Sequence, residues 1–502
     1  MMRNSLASLA LLLTATTGVA AATEGEEASR VRRRAAGVHA STSYRLLAIG
    51  LGDVRLDEQG TTSGRNAWLE QRLRVLSDVS TGALVFSYGG DLFSGTLAGD
   101  TSDVGRRFLH APRDELDAWR GFELRRAMVS WRTPYGELRA GHQVSDWGFG
   151  ILANSGEREL PFGDQRLGDM VERLAFATRP LAWLYAAAGA DLVFRDSNAD
   201  LLEGDLGFNV FGALFHHEGR RFLGLYAAHR NQWDRDDERL VVTVLDLHAR
   251  HGGDLPGGLR WEAGVEGMLQ LGHTSRLRPE PDLEQADVLA GGAVARGALA
   301  HALTRLKLTL EAGFASGDND RNDDTVRHAT FHPDYRVGLI LFDELLGGVS
   351  ARAADRLADA EHHAAIPHGT RHVPTNGGVT NAFYLWPRLA FEPLERLALR
   401  VGLLWAVAVA DVVDPRATNV DAGGYNRNYF GGPADGRELG LELQVGLSYS
   451  FAPIRKVKGL VVGAGVEWAR LWPGDAFADR DGDPPPATSR VGGRFTVAWR
   501  FR

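Results

Sequence analysis

The sequence predicts an all-β fold: a single antiparallel transmembrane β-barrel of about 18 strands, with short periplasmic turns and long extracellular loops. Three observations carry that expectation. Apolar and polar side chains alternate along stretches of roughly ten to seventeen residues, and short connections alternate with long ones. Beyond the N-terminal leader, no uninterrupted apolar run reaches the ~18 residues of a spanning helix. A closed barrel pairs every backbone group in hydrocarbon without leaving that helical signature.

Composition agrees. Of 502 residues, 44% are hydrophobic, and the mean hydropathy is −0.19. A helical membrane protein would be more apolar, whereas half of each barrel strand is polar. The absence of cysteine excludes disulfides and thiolate chemistry. A net charge of −8 gives no basic footprint for nucleic acid. Lysines are confined to Lys307, Lys456 and Lys458, so arginine supplies nearly all the positive charge.

Residues 1–22 read as a signal peptide. Arg3 precedes an apolar run over 6–15, and Val19, Ala20, Ala21 and Ala22 offer small residues for cleavage near Ala22. The chain is therefore expected to be exported to the outer membrane of a diderm bacterium, held there by strands because no cysteine can carry a lipid anchor. Residues 23–40, with Glu24, Glu26, Glu27 and the basic run Arg30, Arg32, Arg33 and Arg34, read as a flexible periplasmic leader. The barrel itself is expected over 41–502.

In order, strands are predicted at 41–54, 66–79, 83–93, 122–133, 137–145, 169–178, 182–195, 205–216 and 221–233. The rest fall at 239–251, 258–273, 287–300, 302–315, 381–391, 396–410, 437–451, 458–471 and 490–502. The turns at 80–82, 134–136, 179–180, 218–219, 252–256, 300–301, 392–395 and 453–456 are short. The connections at 94–121, 146–168, 273–286, 316–380, 411–436 and 472–489 are mostly long and rich in Gly, Asp, Asn and Pro; 196–204 and 234–238 are shorter. An even strand count returns both termini to the periplasm.

The two-residue period is clear in individual strands. Arg260, Glu262, Gly264, Glu266, Met268 and Gln270 face one way, against Leu259, Trp261, Ala263, Val265, Leu269 and Leu271. Leu443, Val445, Leu447, Tyr449 and Phe451 oppose Glu442, Gln444, Ser448 and Ser450. Trp68, Trp131, Trp233, Trp386, Trp468 and Trp472 near strand ends suit interfacial girdles. A secreted sandwich or propeller would also alternate, but strands this long suit a tilted span, and no propeller-like repeat of about forty to fifty residues occurs.

The chain closes on Phe495, Val497, Trp499 and Phe501 in alternation, which resembles the C-terminal signal read by the barrel-assembly machinery, although Arg502 follows the final aromatic. Two further patches carry a family resemblance. Leu138-Arg139-Ala140-Gly141-His142-Gln143 leads into Trp147-Gly148-Phe149-Gly150, and Ala315-Ser316-Gly317-Asp318-Asn319-Asp320 is followed by Thr330-Phe331-His332-Pro333. Both resemble motifs of alginate-export-type outer-membrane porins. The resemblance implies a large monomeric channel whose arginine-lined lumen passes an anionic polysaccharide; His142 stands where that family commonly has arginine, so no pore role is taken from it.

Strand phase independently nominates charges for the lumen, because a charge at mid-height on the lipid face costs ~2–4 kcal/mol. These are Arg72, Arg74, Arg125, Arg139, Arg230, Asp246, His248, Arg250, Arg260, Glu262, Glu266, Arg305, Lys307, Arg400, Glu442 and Arg494. Their arginine excess would favour anions; pairing with one another to stiffen the wall is the alternative. Asp318, Asp320 and Asp323 offer the oxygen ligands calcium prefers, without the closing glutamate of an EF-hand. In the long loop 316–380, Leu345, Leu346, Val349, Ala353, Leu357 and Ala360 have helical spacing, consistent with either a lumenal plug or constriction or an exposed lid.

No nucleophile elbow, zinc-protease, Walker or dinucleotide motif occurs in a fitting context, so no enzyme is expected and no cofactor is required. The sequence thus points to a channel for polar, possibly anionic, solutes. A receptor or adhesion barrel acting through its loops and an outer-membrane hydrolase are the rival classes.

Overall fold

Eighteen long strands follow one another around a ring. They are β1 (Gly37–Leu51), β2 (Ala67–Thr81), β3 (Leu84–Gly99), β4 (Glu123–Thr133), β5 (Gly136–Ser145), β6 (Asp169–Leu181), β7 (Leu184–Arg195), β8 (Leu206–Glu218), β9 (Arg221–Trp233), β10 (Arg239–Leu255), β11 (Leu259–Thr274), β12 (Ala286–His301) and β13 (Leu306–Ala315). After the two-residue β14 (Thr325–Val326) come β15 (Ala382–Leu394), β16 (Leu397–Ala408), β17 (Glu438–Phe451), β18 (Leu460–Pro473) and β19 (Thr488–Phe501). The computed structural model describes residues 37–102, 104, 118–166, 168–235, 237–276, 284–320, 323–357, 374–453 and 457–501. The signal peptide and most of the leader expected from the sequence lie outside the described residues.

Each long strand is antiparallel to its neighbours, and β1 closes the ring on β19 from Ala40 opposite Phe501 to Leu51 opposite Arg490. β13 pairs directly with β15, while β14 lies parallel to β12 outside the ring order. Closure leaves no free sheet edge, as a span through hydrocarbon demands.

The predicted strands correspond one to one, with informative differences at their ends. β1 begins at Gly37, inside the expected leader, because residues 37–40 pair with 77–80 of β2. β6 runs on through Pro180 with a register shift between Thr178 and Leu181, so the turn falls at Ala182 and Trp183. Proline lacks the N–H that would keep the ladder regular. The turn after β12 is displaced to 302–305, which puts Arg305 there with φ of +54° rather than on a strand.

The outer face is apolar: Val265, Leu269 and Leu271 of β11 are exposed, as are Val445, Leu447 and Tyr449 of β17. Two of the expected girdle tryptophans depart from this. Trp68 and Trp386 are buried on the inner face, donating from Nε1 to Glu70 (2.7 Å) and Gln444 (2.9 Å). The inner face accepts large rings because the lumen toward the long-loop rim is packed rather than empty.

Two connections fold inward to fill it, 146–168 and 327–381, through their described residues 146–166, 168, 327–357 and 374–381. Ile151, Phe162, Phe331, Ile340, Phe342 and Val349 join one cluster with wall residues Leu47, Val288, Tyr384, Leu404 and Leu471. The helix expected near 343–360 is α1 (Gly347–Leu357), preceded by a wide-turned helical segment, Leu341–Leu346, and both are buried. Toward the short-turn rim the inward-phased Arg260, Glu262 and Lys307 are exposed. The lumen is therefore narrowed at one end and open at the other.

Candidate functional site

The segment 146–168 crosses the ring. It leaves β5, rests on β10 and β11, and reaches β19, β1 and β2, which lie eight or nine strand positions from β10 around the eighteen-membered ring. Its root is the Trp147-Gly148-Phe149-Gly150 run. Gly148 has φ of +54°, and a Cβ there would sit 2.4 Å from the Glu266 carboxylate carbon, so both backbone and space require glycine. Trp147 donates from Nε1 to Asp246 (2.7 Å) and stacks on Tyr226 at 5.2 Å, while the Phe149 N–H donates to Glu266. The Phe149 ring meets His248 edge-on at 4.7 Å and carries the Arg296 guanidinium 4.6 Å from its centroid.

Arginines hold the far end. Ser155 O accepts from Arg125 (2.5 Å) and Glu157 from Arg126 (2.6 Å), with Arg74 3.6 Å from Glu157. Arg74 itself makes a two-pronged pair with Asp91 (2.7 and 2.9 Å). Phe162 fits a slot in the wall left by Gly402 and Gly446, where a Cβ would come within 3.0 and 3.2 Å of its ring. Gly163 donates to Glu467 (3.0 Å) and accepts from Arg494; Asp164 pairs with Arg45; Gln165 O accepts from Arg72 (3.3 Å).

Six arginines thus surround this end, Arg45, Arg72, Arg74, Arg125, Arg126 and Arg494, and the carboxylates they bond or pair with are Asp91, Glu157, Asp164 and Glu467. Glu70 lies near Arg45, and Glu123 near Arg74 and Arg125, so carboxylates are interleaved with the arginines at this end. Arg490, on the same inner face, keeps Nε and Nη1 without a hydrogen-bond partner among the described residues. Burial would raise the Asp164 carboxylate, but Arg45, Arg494 and Arg72 outweigh it and hold the group at about 2. Glu157 is likewise depressed, with burial opposed by Arg126 and Arg74.

The second insert is fastened by carboxylates of the wall. Glu442 accepts three successive backbone N–H groups, from Leu339 (2.6 Å), Ile340 (3.0 Å) and Leu341 (2.8 Å). These are donors that a helix start leaves without intrahelical partners, so the anion both satisfies them and suits the dipole. Glu311 accepts the Tyr335 hydroxyl (2.8 Å), the Tyr384 hydroxyl (2.9 Å) and the guanidinium groups of Arg296 and Arg388. Arg352 of α1 bonds Asp57 (3.0 Å), and Arg356 bonds Asp414 (3.2 Å). The two inserts meet where His332 N–H donates to Ile151 O (2.8 Å) and the Asp334 carboxylate accepts from Arg166 and Gly168 N–H (2.7 and 2.6 Å). The second motif patch thus meets the chain at Ile151, directly after the first patch.

Of the nominated lumen residues, Arg72, Arg74, Arg125, Asp246, His248, Glu266, Glu442 and Arg494 converge on the inserts. Arg139 bonds Glu137 near the short-turn rim (2.6 Å), Arg230 bonds Asp196 (2.5 Å) near the long-loop rim, and Arg260 bonds Asp254 (3.1 Å). Arg250 lies 6.0 Å from the Phe222 ring, and Arg400 is half-buried on the inner phase of β16. The acidic loop candidates turn to local groups: Asp318 accepts from the N–H of Asp320 and Arg327 (3.2 and 3.0 Å), and Asp323 pairs with the Arg327 side chain (2.5 Å). Among the described residues no group of three His, Asp or Glu is arranged to hold a metal ion.

Sequence reasoning missed Arg45, Arg126, Glu157 and Asp164. Inward phase could have found Arg45, between Tyr44 and Leu46 of a strand that alternates. Arg126 could not have been found by period alone, since the register shifts opposite Gly89 and Gly90 and sends both Arg125 and Arg126 inward. Glu157 and Asp164 sit in a connection with no period at all.

No protein-family model matches the chain, and no curated protein is similar to it in sequence. Solved structures are similar in fold. Pseudomonas aeruginosa OccK2 (OpdF) is 14% identical with a TM-score of 0.50, covering 92% of this chain and 97% of its own. Acinetobacter baumannii OccAB1 is 11% identical at 0.50, covering 92% and 96%. Acinetobacter baumannii OccAB2 is also 11% identical at 0.50, covering 93% and 98%. At such identities the shared property is the architecture, an eighteen-stranded porin-type barrel.

Proposed function

We propose that this chain is an outer-membrane channel of a diderm bacterium that lets small polar solutes diffuse through its lumen, anions ahead of cations. The observation that carries the reading is the arginine cluster at the constriction, with Arg490 Nε and Nη1 unbonded among the described residues, inside a ring whose outer face is apolar. A polar lumen lowers the barrier of crossing hydrocarbon, and fixed charge at the narrowest level sets which ions enter. No catalytic step and no cofactor are needed. The lipid of the outer membrane and the barrel-assembly machinery, reading the last strand, are its expected partners, and a monomer suffices for the pore.

The narrower version, passage of an anionic polysaccharide, is supported by the two patches that resemble alginate-export-type porins. Arg72 and Arg494 would then meet successive acidic sugars. The bonds of Asp164 and Glu157 to this wall favour instead a small anion that exchanges with them.

A receptor barrel is the second reading, favoured by the burial of residues 331–350 at the long-loop end. Purified protein in planar bilayers under a salt gradient separates the two. The channel predicts steady unitary conductance with a reversal potential of anion-selective sign. A silent barrel supports the receptor, and cation selectivity overturns the arginine argument.

A further inference from the structure

The crossing segment is fastened at its root by Asp246 and Glu266, and these two side chains have no role in the lining of a path. They lie diagonally across the β10–β11 ladder, since Asp246 pairs with Met268 and Glu266 with His248. Both are almost fully buried, at 2% and 1% exposure. Asp246 accepts from Trp147 Nε1 and Glu266 from Phe149 N–H, with Ile151 N–H also acting on Glu266; Asp246 Oδ2 and Glu266 Oε1 have no hydrogen-bond partner among the described residues.

The nearby cations are engaged elsewhere. Arg158 bonds both oxygens of Asp146 (2.9 and 2.6 Å) and Gly148 O (2.8 Å), and Arg296 bonds Glu311 (2.9 Å). A buried pair of carboxyl groups without a bonded cation is costly in its charged form, and the N–H groups that the segment brings offset part of that cost. The far end has arginines, ion pairs and the Phe162 slot.

We infer that Asp246 and Glu266 are positioning residues that form a latch: their hydrogen bonds to Trp147 and Phe149 hold segment 146–168 across the lumen, and this root is the end that releases first. The inference deepens the channel reading and rests on it only for its effect on current. Removing the acceptors frees the root. Replacing them by Asn and Gln keeps an acceptor oxygen, removes the like charge and keeps the root closed.

Because the chain has no cysteine, a single Leu152→Cys reports on the segment by maleimide labelling, normalised to Glu218→Cys at the exposed end of β8. In the Asp246→Ala/Glu266→Ala pair, labelling at 152 is expected to rise about tenfold and unitary conductance to increase. The Asp246→Asn/Glu266→Gln pair is expected to label within about twofold of the parent. Equal labelling of the Ala pair and the parent overturns the latch, as does an Asn/Gln pair that labels like the Ala pair. Should the Ala pair fail to reach the folded, heat-modifiable form, Trp147→Phe, which removes the Nε1 donor and keeps an aromatic ring against Tyr226, is read the same way. Labelling needs no current, so a barrel that labels as expected but stays silent in bilayers keeps the latch and loses the channel.

Discussion

The two ends of segment 146–168 rest on opposite chemistry. At the root, carboxyl groups of β10 and β11 accept N–H groups of the segment and, among the described residues, bond no cation. At the far end, six arginines of β19, β1, β2 and β4 grip carbonyls and carboxylates, and an aromatic ring fills a slot. The difference teaches that one inserted loop can be both anchor and gate. Ion pairs fix the end that, on the proposed channel reading, would select the solute, and contacts without a bonded cation would leave the other end freer to yield.

The largest effect should come from breaking the arginine end. Arg74→Met would leave Asp91 buried without its partner and should cost about 3–5 kcal/mol, read as a lowered urea midpoint for the folded barrel. If the far end is the firmer one, Asp246→Asn should cost far less in the same assay. Phe162→Ala should follow closely at about 3–5 kcal/mol, because Gly402 and Gly446 leave a cavity that cannot collapse around a smaller side chain.

Selectivity sharpens the comparison next. Replacing Arg45, Arg72 and Arg494 together by Gln should reduce the anion-to-cation permeability ratio by about tenfold, measured as a shift in reversal potential. An unchanged ratio would place the selective level elsewhere in the lumen. Gly148→Ala acts on the root alone. A side chain at a positive φ against Glu266 should cost about 1–3 kcal/mol and loosen the segment.

Acid gives the smallest and most local effect. Asp164 is depressed by its arginines to about 2, so its contribution is complete above the ordinary carboxylate pKa and is lost as pH falls through the folded value. Asp57, pulled up by burial but held below its ordinary value by the hydrogen bond of Thr61 and by Arg352, follows the same sign. Hydrogen exchange over 160–166 and α1 should therefore stay slow at neutral pH and quicken only in strong acid. Quickening near neutral pH would argue against both ion pairs.

How far the sequence reached can be judged residue by residue. Alternation placed Arg72, Arg74, Glu266 and Glu442 on the inner face, because a strand repeats every two residues and a charge facing lipid is costly. Position near strand ends put Trp68 and Trp386 in a girdle, which was wrong because the inserts turn the upper lumen into a packed core. Period also fails at a bulge, where Arg126 joined Arg125.

The sequence by itself determined the ring, since the number, length and phase of its strands are local properties written in consecutive residues. The tertiary structure alone decided where 146–168 goes and what each end holds. Asp164 finds Arg45 and Trp147 finds Asp246 across about a hundred residues of chain or more. No local pattern encodes such pairings; they arise only when closure of the barrel brings distant inner faces around one segment.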